Sequence, residues 1–140
     1  MAGITFAQGI DNFVKKGKKA TEEYTQEFVA RLGEELVDRS PVDTGHYRAM
    51  WTLSIGSPVY AAGAYRYGPF DKTGEHTKRE LRAFAMTVRA GSLMLITNAA
   101  RYASYVEYGS VTIEPRFVIR GVLARIPSIK RSVIYRVSRR

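Results

Sequence analysis

The chain of 140 residues contains no cysteine. A disulfide framework, a thiolate metal site and a thiol nucleophile are all excluded by that absence, which also fits folding in a reducing compartment. Histidine is nearly absent as well: His46 and His76 stand thirty residues apart with no paired carboxylates at ligand spacing, so no metal and no cofactor are expected. No apolar run approaches the roughly 18–20 residues of a membrane span. The opening stretch MAGITFAQGIDNF has no basic region leading into an apolar one, so it does not read as a signal peptide. These absences predict a soluble protein of the cytoplasm. Internal repeats, low-complexity tracts, the Walker loop, the dinucleotide fingerprint and the nucleophile elbow are missing too. No catalytic residue is therefore assigned.

One further absence is local. After Glu114 there is no acidic residue, while Arg116, Arg120, Arg125, Lys130, Arg131, Arg136, Arg139 and Arg140 are all basic. Those eight carry nearly all of the formal charge of +9. A stripe of one sign suits a phosphate backbone or an acidic protein surface. Only Phe117 and Tyr135 are interleaved with it, thin provision for base stacking.

Apolar residues make up 45% of the chain, enough for one core, and the length suits one domain over residues 1–140. Residues 1–39 are predicted to form a long helix, with Tyr24, Phe28, Leu32 and Leu36 recurring at every fourth position. Gly17 is a weak point at which it bends or properly begins. If the helix runs straight, it is overlong for so small a domain, and its N-terminal part is expected to reach a neighbour. Ser40-Pro41 ends it. Residues 40–115 form a sheet-and-helix core. Trp51, Leu53 and Ile55 alternate with polar residues as in a half-buried strand. Residues 57–76 form a long loop in which Tyr60, Tyr65, Tyr67 and Phe70 are candidates for contact with another subunit. Thr77-Lys78-Arg79-Glu80 has the form of a capping box opening a helix over 78–90. SLMLITNA reads as a strand apolar on both faces, suggesting a central place in the sheet. Residues 116–140 form the basic C-terminal segment, with Pro115 able to start a helix and Pro127 to kink it or start another; Val133, Tyr135 and Val137 would also suit a strand. The fold class is α+β: a small, mainly antiparallel sheet packed by the long helix and the second helix, with a basic helical C-terminus.

The stretch SPVDTGHYRAMW contains Asp43-Thr44-Gly45, the tripeptide of aspartic proteases. Such an enzyme needs two carboxylates about 3 Å apart sharing one proton. With a single copy here, only a homodimer could supply them, and the flanking Ser-Pro and His-Tyr-Arg do not fit the protease loop. Pro-Val-Asp-Thr-Gly reads instead as a turn: Pro41 fixes φ, Asp43 can bond backbone two residues on, and Gly45 takes positive φ. Glu107 is the lone charge among the tyrosines of YASYVEYG, and Arg48 is its candidate partner.

Three short motifs follow in order: Pro41 to Arg48 as Pro-Val-Asp-Thr-Gly-x-x-Arg, then Asn98 with Tyr102 and Ala103, then Glu107, Tyr108 and Gly109. In that order and spacing, over roughly residues 10–125, the chain resembles the neck and tail-completion proteins of long-tailed bacteriophages. It departs from them after Gly109, where SVTIEPRF replaces a Gln-Ala-Pro type of turn, and at Pro127, which interrupts an expected continuous helix. The resemblance implies a virion structural protein at the head–tail interface, present in the host cytoplasm during assembly. It implies a homo-oligomeric ring, a hexamer rather than a dodecamer, that joins a head-closure or connector protein to a tail terminator or tube protein. The basic segment would then face packaged DNA or an acidic partner. The alternative from another class is a small basic nucleic-acid-binding module, which predicts salt-sensitive binding by the monomer.

Overall fold

The structure is a computed structural model that describes residues 3–58 and 69–140. Helix α1 (Phe6–Arg39) opens on a capping box: the Thr5 hydroxyl accepts the Gln8 amide at 3.2 Å, and the Gln8 side chain accepts the Thr5 amide at 2.9 Å. It runs unbroken through Gly17, so it does not begin there. At 1.5 Å per residue its 34 residues span about 50 Å. As expected, it stops at Ser40, ahead of Pro41. Next come α2 (His46–Ala49), β1 (Trp51–Ile55), α3 (Glu75–Ala85), β2 (Met94–Asn98), α4 (Ala103–Tyr108), α5 (Val118–Ala124) and α6 (Ile126–Ser138).

The two described strands pair antiparallel, Trp51 opposite Asn98 through Ile55 opposite Met94. The C-terminal half of α1 lies between α3 on one side and α5 and α6 on the other, and α3 also packs on β1. Val29, Ala30 and Val37 of α1, Leu81 and Ala85 of α3, Trp51 and Leu53 of β1, and Val118, Val122, Ile129 and Val133 of the last two helices share one core. Gly33 lets α3 come close, with Leu81 Cδ1 only 3.2 Å from where a Cβ would stand. The architecture is α+β and mostly helical.

Three local expectations are corrected. Helix α3 begins at Glu75, not after Thr77. The Asp71 carboxylate meets the Gly74 amide at 3.1 Å and the Thr77 amide and hydroxyl at 2.8 Å each. Asp71 lies where it can serve several donors at once and so supersedes the local box. Those hydrogen bonds outweigh the burial that would raise its pKa, and hold the carboxyl below its usual value. Helix α3 also ends at Ala85 rather than 90. Strand β2 is only half-buried along its length rather than central, with β1 its one partner among the described residues. At the C-terminus Val133, Tyr135 and Val137 are helical, and Pro127 sits in the first turn of α6, where its missing N–H costs nothing.

Candidate functional site

The three motifs meet around α2. Ser40, the last cap of α1, is buried; its hydroxyl donates to the Leu36 carbonyl at 2.6 Å and accepts the Trp51 indole N–H at 2.8 Å. The chain then turns through Pro41–Gly45. Gly45 has φ +84°, and its carbonyl accepts the Asp71 amide at 3.0 Å. Thr44, not Asp43, makes the local turn bond, its Oγ1 accepting the His46 amide at 3.2 Å. Asp43 is exposed. His46 rests against Phe70, ring centroids 5.8 Å apart, and its Nδ1 is 3.0 Å from the Pro69 carbonyl.

Tyr47 is buried against Trp51 edge to face, with centroids 5.8 Å apart. Its carbonyl accepts the Asn98 side-chain amide at 2.9 Å, while the Asn98 Oδ1 accepts the Ala100 amide at 3.0 Å. Asn98 thereby ties the end of β2 to α2. Tyr102 lies 6.2 Å from Tyr47 and 6.1 Å from His46, ring to ring. Burial, and then the Asp43 charge, raise the Tyr102 phenol above its ordinary pKa. Tyr47 is raised further by burial, with the Glu107 charge second. A cleft of about 230 Å³ remains between Tyr47, Trp51, Ile96, Asn98, Glu107 and Ile119. That is below the roughly 300–1,000 Å³ typical of small-molecule sites.

Among the described residues, Arg48 and Glu107 do not pair. The Arg48 guanidinium donates to the carbonyls of Asp38 at 3.3 Å and Ser40 at 3.2 Å, at the end of α1, and to that of Lys72 at 3.0 Å. Glu107 is 4% exposed and accepts the amides of Ile119 at 2.9 Å and Arg120 at 3.1 Å. Each charge sits at the helix end of opposite polarity, the cation at carbonyls and the anion at amides. Gly109, at φ +79°, lets the chain turn tightly against Ile113 and Pro115 between Glu107 and the helix it caps. Glu107→Gln, which leaves one of those amides facing an NH2 group, is expected to cost about 1–2 kcal/mol. Urea denaturation of the purified variant measures it.

The basic segment is partly committed within the chain. Arg140 reaches Glu27 at 2.8 Å and Arg136 reaches it at 3.7 Å, while Arg125 meets Glu35 at 3.3 Å. The Arg120 guanidinium lies over the rings of Tyr108 at 4.9 Å and Phe117 at 5.2 Å, and Arg139 lies over Tyr135 at 4.2 Å. Among the described residues, Arg116, Lys130 and Arg131 are exposed and have no carboxylate partner. Tyr60, Tyr65 and Tyr67 of the proposed contact loop fall outside the described residues; Phe70 is 58% exposed.

Sequence reasoning missed the buried carboxylate Glu27, which also takes Arg82 at 3.1 Å. Its partners come from elements far along the chain, so no local pattern marks it. The projecting first half of α1 was legible: residues 6–20 are all exposed, including Phe6, Ile10, Phe13 and Val14.

Compared with known families, residues 5–109 match the model described as "Bacteriophage HK97-gp10, putative tail-component". The match runs from the cap of α1 to Gly109 and so contains all three motifs. No curated protein and no solved structure matches the chain.

Proposed function

The chain belongs to the HK97-gp10-like family of bacteriophage tail components, and from that premise we propose that it is a neck subunit of the virion. In this reading several copies form a ring, a hexamer by preference, around the path of the DNA. The ring joins the head-closure or connector protein to the tail terminator or tube protein and so completes the tail. It acts by holding surfaces together rather than by catalysis.

One observation carries this reading. The motif residues are spent on fixing backbone to backbone, while large apolar side chains are left uncovered elsewhere. Phe6, Phe13, Leu93, Val111 and Leu123 are each more than half exposed. Surfaces of this kind call for neighbours. A closed ring needs two different patches per subunit, and Leu93 ahead of β2, with Val111 and Leu123 around α4–α5, supplies apolar surface apart from the α1 arm. Among the described residues, Arg116, Lys130 and Arg131 are the members of the basic segment left to meet DNA or an acidic partner, because Arg125, Arg136 and Arg140 hold carboxylates and Arg120 and Arg139 lie over aromatic rings.

The test is light scattering after size exclusion, in low and high salt, with and without duplex DNA, followed by mixing with the head-closure and tail-terminator proteins. The expected result is a discrete ring, or a smaller species that enters a ring on those partners. A monomer that binds free DNA at low salt and releases it at high salt would replace this reading with the nucleic-acid module.

A further inference from the structure

Residues 6–20 of α1 are exposed along their whole length, yet they carry an ordered pattern. Phe6, Ile10, Phe13, Gly17, Ala20 and Tyr24 are spaced four, three, four, three and four residues apart. That is the seam of a coiled coil. At 100° per residue it lies about half a turn from the Val29–Gly33–Val37 face buried in the core, and of its six residues only Tyr24, at the base, is partly buried against that core. A helix of some 15 residues standing alone in water is marginal. Phe6 is 86% exposed and Phe13 78%.

The seam is uneven in size, with large residues at Phe6, Ile10 and Phe13, small ones at Gly17 and Ala20, and a ring again at Tyr24. We propose that two copies of this chain pair through their arms, antiparallel, about a two-fold axis that crosses the seam at the level of residue 15. In that register Phe13 of each copy faces Gly17 of the other, Ile10 faces Ala20, and Phe6 faces Tyr24. Every layer then sets a large side chain against a small one or against a ring. Parallel pairing would stack Phe on Phe and Ile on Ile, and would leave the Gly17 and Ala20 layers empty.

Two features of the molecule fit this register independently. Among the described residues nothing lies within 4 Å of a Cβ built at Gly17, so they give no reason to keep glycine in mid-helix, where alanine is the better helix former. The incoming Phe13 supplies one. The base of the arm also opens into a groove of about 810 Å³ between α1 and α6, lined by Ala20, Tyr24, Ile134 and Val137. The tip of the partner arm, Phe6, arrives at that point. Each buried Phe removes about 150–250 Å². The four Phe of two arms, with Ile10, Val14 and their counterparts, reach the roughly 1,200 Å² at which specific interfaces begin. Lys16 falls beside its own copy near the axis, so raising salt strengthens the pairing, the reverse of nucleic-acid binding.

The pairing is separate from the node around α2 and stands or falls apart from the neck role. Because the chain has no cysteine, full-length Ile10→Cys and Ala20→Cys proteins can be mixed under mild oxidation and run on a non-reducing gel. A linked dimer is expected in the mixture, and in neither protein alone. Self-linking of Ile10→Cys would overturn the antiparallel register. No linking in any sample would overturn the pairing. Gly17→Leu is the second variant: it should weaken association at least tenfold in sedimentation equilibrium with helix content retained. Unchanged association would equally count against the proposal.

Discussion

Replacing Glu27 with Gln is expected to destabilise the protein by about 3 kcal/mol, near the lower end of what breaking a buried ion pair costs. Glu27 is 3% exposed, and three guanidinium groups converge on it: Arg82 at 3.1 Å, Arg140 at 2.8 Å and Arg136 at 3.7 Å. Glutamine keeps the volume and removes the charge, so Arg136 and Arg140 are left beside a neutral oxygen and beside Arg82, which keeps Glu34 at 2.7 Å. The arginines are a third to a half exposed, which tempers their repulsion and sets the estimate below the upper limit. Burial pushes the Glu27 pKa up, but the hydrogen bond from Arg140 and the charge and hydrogen bond of Arg82 outweigh it, and the net shift is downward. A carboxylate with a depressed folded pKa contributes stability that is fully present above the unfolded value. That contribution is lost as pH falls through the folded value. The gap in unfolding free energy between wild type and Glu27→Gln should therefore hold from neutral pH down to about 4.3, the ordinary glutamate pKa, and shrink below it. Urea titrations at several pH values measure this directly. A gap that did not change with pH would mean that the loss comes from packing and not from charge. Because Arg136 and Arg140 are the clamp on α6, the same variant should also loosen the C-terminal helix, seen as faster amide exchange over 128–138.

That clamp marks the boundary of what the sequence disclosed. The long helix was legible because its apolar residues keep a 3.6-residue period and because Ser40-Pro41 is a local stop. The turn at Pro41–Gly45 was legible for the same kind of reason, since proline and glycine restrict or release φ wherever they stand. The alternation Trp51, Leu53, Ile55 marked β1. What failed were choices between partners. Thr77 with Glu80 has the form of a capping box, but a longer-range acceptor, Asp71, reaches the same amide and hydroxyl. Arg48 and Glu107 were visible as charges needing neighbours. The opposite-charge pairing was the natural guess, and backbone carbonyls and amides at helix ends took both instead. Arg140 and Glu27 lie 113 residues apart, and a charge run shows no such link. The basic C-terminus thus read as one uniform stripe, whereas three of its arginines hold carboxylates, Arg120 and Arg139 lie over rings, and only Arg116, Lys130 and Arg131 have no such partner among the described residues.

The other large effect belongs to Gly45. Gly45→Ala is expected to cost about 3 kcal/mol or more, while Asp43→Asn two residues away should change stability by no more than about 0.5 kcal/mol. Gly45 sits at φ +84°, a conformation that costs a residue with a side chain about 1–2 kcal/mol. A Cβ there would also stand 2.5 Å from the Lys72 nitrogen and 2.6 Å from the Asp71 carbonyl carbon. Both are backbone atoms, so no side chain can rotate away, and the 71–72 segment must shift, adding about 1–3 kcal/mol of overpacking strain. That segment is where Asp71 caps α3 and where the Lys72 carbonyl accepts Arg48 at 3.0 Å, so the shift spreads into both. Asp43, by contrast, points into solvent. The two variants together decide what Asp-Thr-Gly is for in this chain. A protease would lose all activity with Asp43→Asn and keep a fold of ordinary stability. A structural turn loses stability with Gly45→Ala and is indifferent to Asp43. Thermal melts of the two variants beside the wild type, with a peptide-cleavage assay of wild type and Asp43→Asn, separate these outcomes, and the close approach of Gly45 to Asp71 predicts the second.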